Sequence, residues 1–525
     1  MRRRTLLQTG ASAIALPTLA STATATTGAQ AEPFEPLDTV EIPGTREAAV
    51  GHDGEVVYVA ANTGFAVVDI SDPASIEVLA ERRGIDLGGS ATLGTLWDVW
   101  PWEDRLVVSG PAQPDPGSAR GFALFDISDP ANPEQVASHE TGWYIHNCYF
   151  EDGVVYLSGS GLFQAERRIP LVMYDVTGDD PEEVGRWSPV DHDEAWGEVP
   201  IGQRVLHDVY VQDGIAYLPY WDSGTWIVDV SDPANPEVLD RVGDYTREEL
   251  VEIDQERARI EGGIPPGNAH YAQVDEDGSL LAVGEEAWSF DTGDGVVGGA
   301  GGVDLYDVSD KTNVEHLTHI DPPESYEQRR GAYFTTSHNC DIVDGRLYTS
   351  WYFGGVKLHD VSDPSNPEEL AWWRDPREAS FWTAQSGVPG DFFVGSSADP
   401  PIEPGDREPV GEGLYTFPDR AGEQPDAPEL TQPPAELLNS DGNGGENETG
   451  NGSENGGENG GENGTGNGSE NGTENGGDSS PADEDGSDDS ADDDGPGFGV
   501  GGALTAISGA GYLLARRLGG DEGDE

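Results

Sequence analysis

A short phrase recurs six times along this chain, and no other feature constrains the fold so tightly. The copies read GFAVVDISDPASIEVL, GFALFDISDPANPEQV, PLVMYDVTGDDPEEVG, GTWIVDVSDPANPEVL, GVDLYDVSDKTNVEHL and GVKLHDVSDPSNPEEL. Their shared aspartates are Asp69, Asp126, Asp175, Asp229, Asp307 and Asp360, spaced 49 to 78 residues apart. A unit of that size, repeated, implies an array in which no unit buries its own apolar face and neighbours must stack.

The unit between Leu206 and Val242 shows what is repeated. His207–Val211, Ile215–Leu218, Trp226–Val230 and Glu237–Asp240 are short runs rich in β-branched and aromatic residues. Asp213-Gly214, Ser223-Gly224 and Asp232-Pro233 separate them, and such dipeptides turn a chain for known backbone reasons. Four short antiparallel strands per unit is one propeller blade, so the fold class is all-β. Asp229 sits where the third run ends, placed to accept N–H groups of the next turn, which is a structural role. After the sixth phrase, Phe381–Ala384, Asp391–Val394 and Leu414–Phe417 read as three strands of a degenerate seventh blade. Asp38–Ile42 supplies the fourth, closing the ring and removing an exposed edge. The expectation is seven blades over 32–420, with six or eight as alternatives, and a monomeric ring. Across roughly Val40 to Phe417, the VVDISDP-type phrase resembles the LVIVD repeat family of cell-surface propellers.

Both ends of the chain speak about place. Met1-Arg2-Arg3-Arg4-Thr5-Leu6-Leu7 and the apolar run after it form a signal peptide over 1–31, and the paired arginines resemble a twin-arginine export signal. From 421 to 495 Asn, Gly, Glu, Ser and Asp dominate, a composition that cannot bury a core and is expected to be a disordered stalk. It carries glycosylation sequons at Asn447, Asn451, Asn463, Asn467 and Asn471. Over 496–525, Pro496-Gly497-Phe498, the apolar stretch 499–515 and Arg516-Arg517 resemble the PGF-CTERM sorting signal of archaeal surface proteins. That resemblance implies removal of the tail and a lipid in its place; a short membrane helix with arginines inside is the alternative. Both put the propeller outside a membrane, on a tether.

The formal net charge of −73, with only Lys311 and Lys357 as lysines, resembles haloarchaeal proteins, whose carboxylates keep a surface hydrated in concentrated salt. It argues against nucleic acid, which needs a basic face. Cys148 and Cys340 occupy equivalent strand positions in blades three and six, too far apart in a ring to bridge, so both should be buried thiols.

One constellation carries chemistry. With the repeat as a ruler, the first strands begin His146-Asn147-Cys148, His207-Asp208-Val209, His270-Tyr271-Ala272 and His338-Asn339-Cys340 in blades three to six. Trp97 and Trp382 hold the same slot in blades two and seven. First strands line the central channel, so four imidazoles could converge near one mouth, a donor set suited to copper, zinc or iron. It resembles, loosely, the channel histidines of copper-dependent propeller oxidases of the selenium-binding-protein class. The alternative is structural, as in WD-repeat propellers, where a histidine at the start of the first strand hydrogen-bonds within its blade. The insertions 84–95, 111–120, 159–169, 190–204, 245–268, 285–302 and 322–336 all fall where connections emerge at that same mouth, and variable loops on a rigid scaffold are where binding resides. Two functions follow: a surface binding module for a ligand or protein through the insertion-rich face, or a metal-dependent oxidoreductase on His146, His207, His270 and His338. No nucleophile elbow, phosphate loop or CxxC pair accompanies them.

Overall fold

A computed structural model describes residues 33–159, 168–178, 180–254, 257–401 and 407–433. The signal, the five sequons and Pro496-Gly497-Phe498 with the apolar stretch after it lie outside those residues. No helix among the described residues is long and apolar enough to cross a membrane.

Seven four-stranded antiparallel sheets form the ring. Six of them take their strands in chain order, and each is one copy of the repeat. The seventh joins the two ends: Asp38–Glu41 pairs with Gly413–Pro418, which pairs with Phe392–Ser397, which pairs with Phe381–Val388. Alternate side chains of each strand pack against the neighbouring blade, because strands place successive residues on opposite faces. One cluster thus joins Ala60, Phe65 and Val67 of blade one to Val99, Leu106 and Val108 of blade two. In the closing blade Phe34, Phe393 and Phe417 stack with ring centroids 5.1–6.4 Å apart, all fully buried.

The repeated phrase builds the same turn each time. Asp69 Oδ1 accepts the Ser71 N–H at 2.9 Å and its hydroxyl at 2.6 Å. Asp126, Asp175, Asp229, Asp307 and Asp360 do the same with the Ser or Thr two residues on. These are turn-closing contacts at a solvated surface. Asp229→Ala should therefore lower the melting temperature by only about 2 °C. Loss of folding in a calorimetric scan would show that the aspartate does more than close its turn.

Between third and fourth strands the same six blades carry a register shift just before that aspartate, as at Ile227/Val228 and Leu358/His359. Such bulges add local twist and bend the outer strand. Cys148 and Cys340 are buried and unbridged.

The connections at one mouth hold most of the irregular structure. Ser289–Asp291 pairs with Val296–Gly298 as an extra hairpin between the second and third strands of blade five, with Val296 65% exposed. The Thr246 capping box forms with Glu249 and starts the short helix Arg247–Val251. A second short helix, Ala258–Glu261, follows. The run Val251-Glu252-Ile253-Asp254 between them has two β-branched residues and an aspartate, all weak helix formers. The acidic loop at His192 is a solvated cap: Asp193 accepts the Ala195 N–H at 2.9 Å and pairs with Arg247. Beyond the last strand, residues 421–433 run along the outside of blade six. There Arg374 donates to the Pro428 carbonyl at 3.0 Å, and Leu430 is buried.

Candidate metal centre

The slot shared by the first strands forms a ring of side chains around the channel. Arg46, Trp97, His146, His207, His270, His338 and Trp382 occupy it in blades one to seven. Register shifts at Thr45/Ala48, Ala269/Tyr271 and Phe381/Thr383 break the strand pleat there. A bulge re-aims side chains, so a slot residue and its successor can both face the axis. Six of the seven carry rings, and these touch in sequence. Trp97 lies 5.2 Å from His146, His146 4.3 Å from His207 and His207 3.6 Å from His270, between ring centroids. His270 lies 4.6 Å from His338, His338 4.3 Å from Trp382, and Trp382 5.8 Å from Trp97, which completes the circuit. Arg46 stacks on the Trp382 ring from outside it, 5.6 Å away.

The four imidazoles thus converge, and their nitrogens are held in defined roles. His146 Nδ1 lies 2.8 Å from the Ala112 carbonyl and His338 Nδ1 2.7 Å from the Trp382 carbonyl. A carbonyl only accepts, so both Nδ1 atoms carry hydrogen, and in the neutral rings both Nε2 atoms present lone pairs. Burial keeps those rings neutral, depressing His146 to about 4 and His338 to about 3. Burial, with the neighbouring imidazoles, also holds His207 well below the usual range. These carbonyls belong to the neighbouring connection and blade, so the bonds tie blades together rather than serving one blade internally.

A fifth group completes the set. Glu286 Oε2 lies 3.1 Å from His270 Nδ1, and its Oε1 accepts the Tyr352 hydroxyl at 2.5 Å. Burial drives the Glu286 carboxyl up, but its pairing with His270 first, then His338 and Arg330, outweighs this and holds the group at about 2. The ionised carboxylate at that distance favours hydrogen on His270 Nδ1, although the contact lies outside hydrogen-bond geometry. The Nε2 contacts are His146–His207 at 2.8 Å and His270–His338 at 3.1 Å. His207 can give its Nε2 proton to His146, which leaves its own Nδ1 buried without a partner among the described residues. His270 and His338, each with hydrogen on Nδ1, therefore meet Nε2 to Nε2 at 3.1 Å. A proton or a cation must lie between them.

The spacing suits an ion. Two nitrogens bound at 2.0–2.1 Å to one metal lie about 2.9–3.4 Å apart at bond angles from square to tetrahedral. Anchoring Nδ1–H on a carbonyl or carboxylate, so that Nε2 faces the ion, is how protein sites orient ligating histidines. His270, Glu286 and His338 each offer a donor atom within 4.8 Å of the others. None of the four histidines is more than 8% exposed. Beside them Trp288, Phe334, Tyr352, Phe353 and Trp382 form a buried aromatic cluster, drawn from the insertions, the connection between the second and third strands of blade six and the last blade.

Sequence alignment of the first strands located the histidines and missed Glu286. It follows the second strand of blade five, inside the longest interval between phrases. The Glu285-Glu286 pair at the mouth end of a strand was the available signal.

The profile of the LVIVD repeat matches residues 52–80 and 204–244. No curated protein matches the chain. Among solved structures it is similar to the β-propeller domain of Cps50 (Swd1) from Myceliophteria thermophila, at 8% identity over 74% of this chain and 99% of that one, TM-score 0.48. U3-55K gives 10% identity over 74% and 100%, TM-score 0.48. The WD40 β-propeller domain of Doa1 gives 10% over 73% and 96%, TM-score 0.42. The chain is a seven-bladed β-propeller that carries LVIVD repeats.

Proposed function

We propose that this propeller is a metal-holding surface protein whose channel mouth binds one transition-metal ion, copper or zinc, through His146, His207, His270 and His338. The observation that carries the reading is the Nε2-to-Nε2 approach of His270 and His338 at 3.1 Å, with the Nδ1 atoms of the rings turned to the Ala112 and Trp382 carbonyls and to Glu286. Four imidazoles and an adjacent carboxylate are the donors that such ions prefer. The bound ion would replace the proton shared between the Nε2 atoms of His270 and His338, where Glu286 also offers a donor atom within reach. The export signal, the sequon-rich stalk and the PGF-type C-terminus support a cell-surface, membrane-tethered setting, with the stalk sequons as glycan acceptors.

Two activities are compatible with such a centre. As an interaction module, the protein would use the metal to rigidify the mouth from which its insertions project, and present them to a surface ligand or protein. As a copper oxidoreductase it would be confined to small substrates, because the imidazoles are almost completely buried among aromatic side chains.

Elemental analysis of the purified propeller should find close to one copper or zinc per chain, retained through dialysis and removed by strong chelators. His207→Ala with His338→Ala should abolish it while the β-sheet spectrum persists. Wild-type protein that stays metal-free after incubation with copper and zinc would sink the proposal.

A further inference from the structure

Three arginines flank the aromatic cluster beside the imidazoles. Arg46 holds the slot of blade one, Arg330 lies in the connection from blade five to blade six, and Arg407 lies between the second and third strands of blade seven. Each lays its guanidinium on a ring of the cluster: Arg330 on Trp288 at 4.5 Å, Arg407 on Phe353 at 5.0 Å and Arg46 on Trp382 at 5.6 Å. Those rings are linked to one another through Tyr352 and Phe334, with centroids 4.8–6.5 Å apart. Stacking occupies the face of a guanidinium and leaves its edge of N–H groups to be satisfied elsewhere.

Those edges are left over. Arg46 Nε, Arg330 Nε, Arg407 Nε and Arg407 Nη2 are buried with no hydrogen-bond partner among the described residues, and so are the indole nitrogens of Trp97 and Trp288. Arg407 spends only Nη1, on Asp399 at 2.6 Å and on the Glu408 carbonyl. Arg46 spends Nη1 on the Thr45 carbonyl and on Glu412 at 3.4 Å. Arg330 forms no ion pair among the described residues, and Glu286 acts on it from farther away. The charges of Arg46 and Arg330 both reach the Tyr352 hydroxyl, and Asp399 acts on Arg46 as well as bonding Arg407, so the three belong to one place. Buried N–H groups without an acceptor are rare and costly. Arginine and tryptophan nitrogens donate and cannot accept, so what this corner lacks is an acceptor.

We propose that this corner of the mouth binds a small carboxylate-type monoanion, held by the guanidinium edges of Arg46, Arg330 and Arg407. A carboxylate presents two oxygens in the plane that a guanidinium fork matches. Asp399, Glu412 and Glu286 stand among the arginines, so one added negative charge fits where a dianion would meet repulsion. A water oxygen that accepted two of these bonds would bring two hydrogens needing acceptors of their own. The site uses none of the four histidines, so it does not depend on whether they hold a metal.

Formate is the probe, titrated by calorimetry into the full chain at constant background salt. The protein is first dialysed against a chelator, so that no ion at the histidines can take the anion. The expected result is one saturable formate site per chain, with sulfate binding more weakly at equal ionic strength. Arg330→Gln and Arg46→Gln should each weaken formate binding at least about tenfold, the loss expected for one charged hydrogen bond. Arg330 is only half-buried and sits in a connection, so its variant decides the matter should Arg46→Gln fail to fold. Lys357→Gln removes a positive charge from the third strand of blade six, outside the cluster, and should leave formate binding unchanged. Formate that titrates identically in wild type and both arginine variants would be bound elsewhere on the surface. Sulfate binding tighter than formate would exclude the carboxylate class, and no saturable binding would mean that ordered water alone meets these donors. Each of these results overturns the proposal.

Discussion

A chain lacking everything before Pro43 is expected to lose its cooperative melt, although it retains all six copies of the repeated phrase. The first described residues are the closing element of the ring. Asp38–Glu41 is the outer strand of blade seven, paired in register from Asp38↔Thr416 to Glu41↔Gly413. Leu37 N–H donates to the Thr416 carbonyl at 2.7 Å and Ile42 N–H to the Glu412 carbonyl at 3.0 Å. Phe34 is fully buried between Phe393 and Phe417. Deleting the segment removes a strand's hydrogen bonds, opens a sheet edge and leaves a phenylalanine-sized void at once. Loss of the buried phenylalanine alone costs about 3–5 kcal/mol, against a total stability of about 5–15 kcal/mol for a folded domain. The truncated chain should show no sharp transition in calorimetry, and exposed strand edges should drive it to aggregate. Phe34→Ala alone should keep a cooperative transition at reduced temperature. A peptide spanning residues 33–42, added in trans, should restore part of the lost melt by refilling the edge. A truncated chain that melts like wild type would mean that the ring is held without its closing strand.

That closure was legible in the sequence because it rests on counting. Six phrases left three orphan runs at one end and one at the other, and a ring with unpaired edges is unstable. The histidine slot was legible for the same reason: the repeat supplied a register, and His146, His207, His270 and His338 fell into one column. What the repeat could not show is anything supplied by the irregular segments. The tautomers of the imidazoles depend on the Ala112 carbonyl in an insertion, the Trp382 carbonyl in the degenerate blade, and Glu286 beyond a strand end. None of these shares a column with anything. The bulges before each repeated aspartate were hidden for another reason: a one-residue shift in the fourth strand leaves no pattern that alternation can distinguish from a loop. The short helices at 247–251 and 258–261 show the limit of a local rule, since a capping box starts a helix without deciding how far the next residues carry it.

Glu286 is where the metal proposal meets its strongest quantitative test. Its carboxylate faces His270 Nδ1 at 3.1 Å, so it fixes which nitrogen of that ring carries hydrogen and raises the basicity of the other. It is itself held by the Tyr352 hydroxyl at 2.5 Å. Glu286→Gln preserves size and keeps an acceptor for His270, but removes the negative charge. Partners of ligating histidines typically contribute 10- to 100-fold in metal affinity, and a loss of about that size is expected for zinc or copper, read by competition with a chromophoric chelator. Tyr352→Phe should give a smaller loss in the same direction, because it frees the carboxylate without removing it. The double variant should show little beyond Glu286→Gln alone, since the tyrosine acts through the glutamate and the two effects are not independent. Melting curves of the metal-free proteins separate this from general damage: if Glu286 serves the ion, the variants should lose metal-induced stabilisation far more than intrinsic stability. An affinity unchanged in Glu286→Gln would remove the carboxylate from the centre and leave its burial beside four imidazoles without a role.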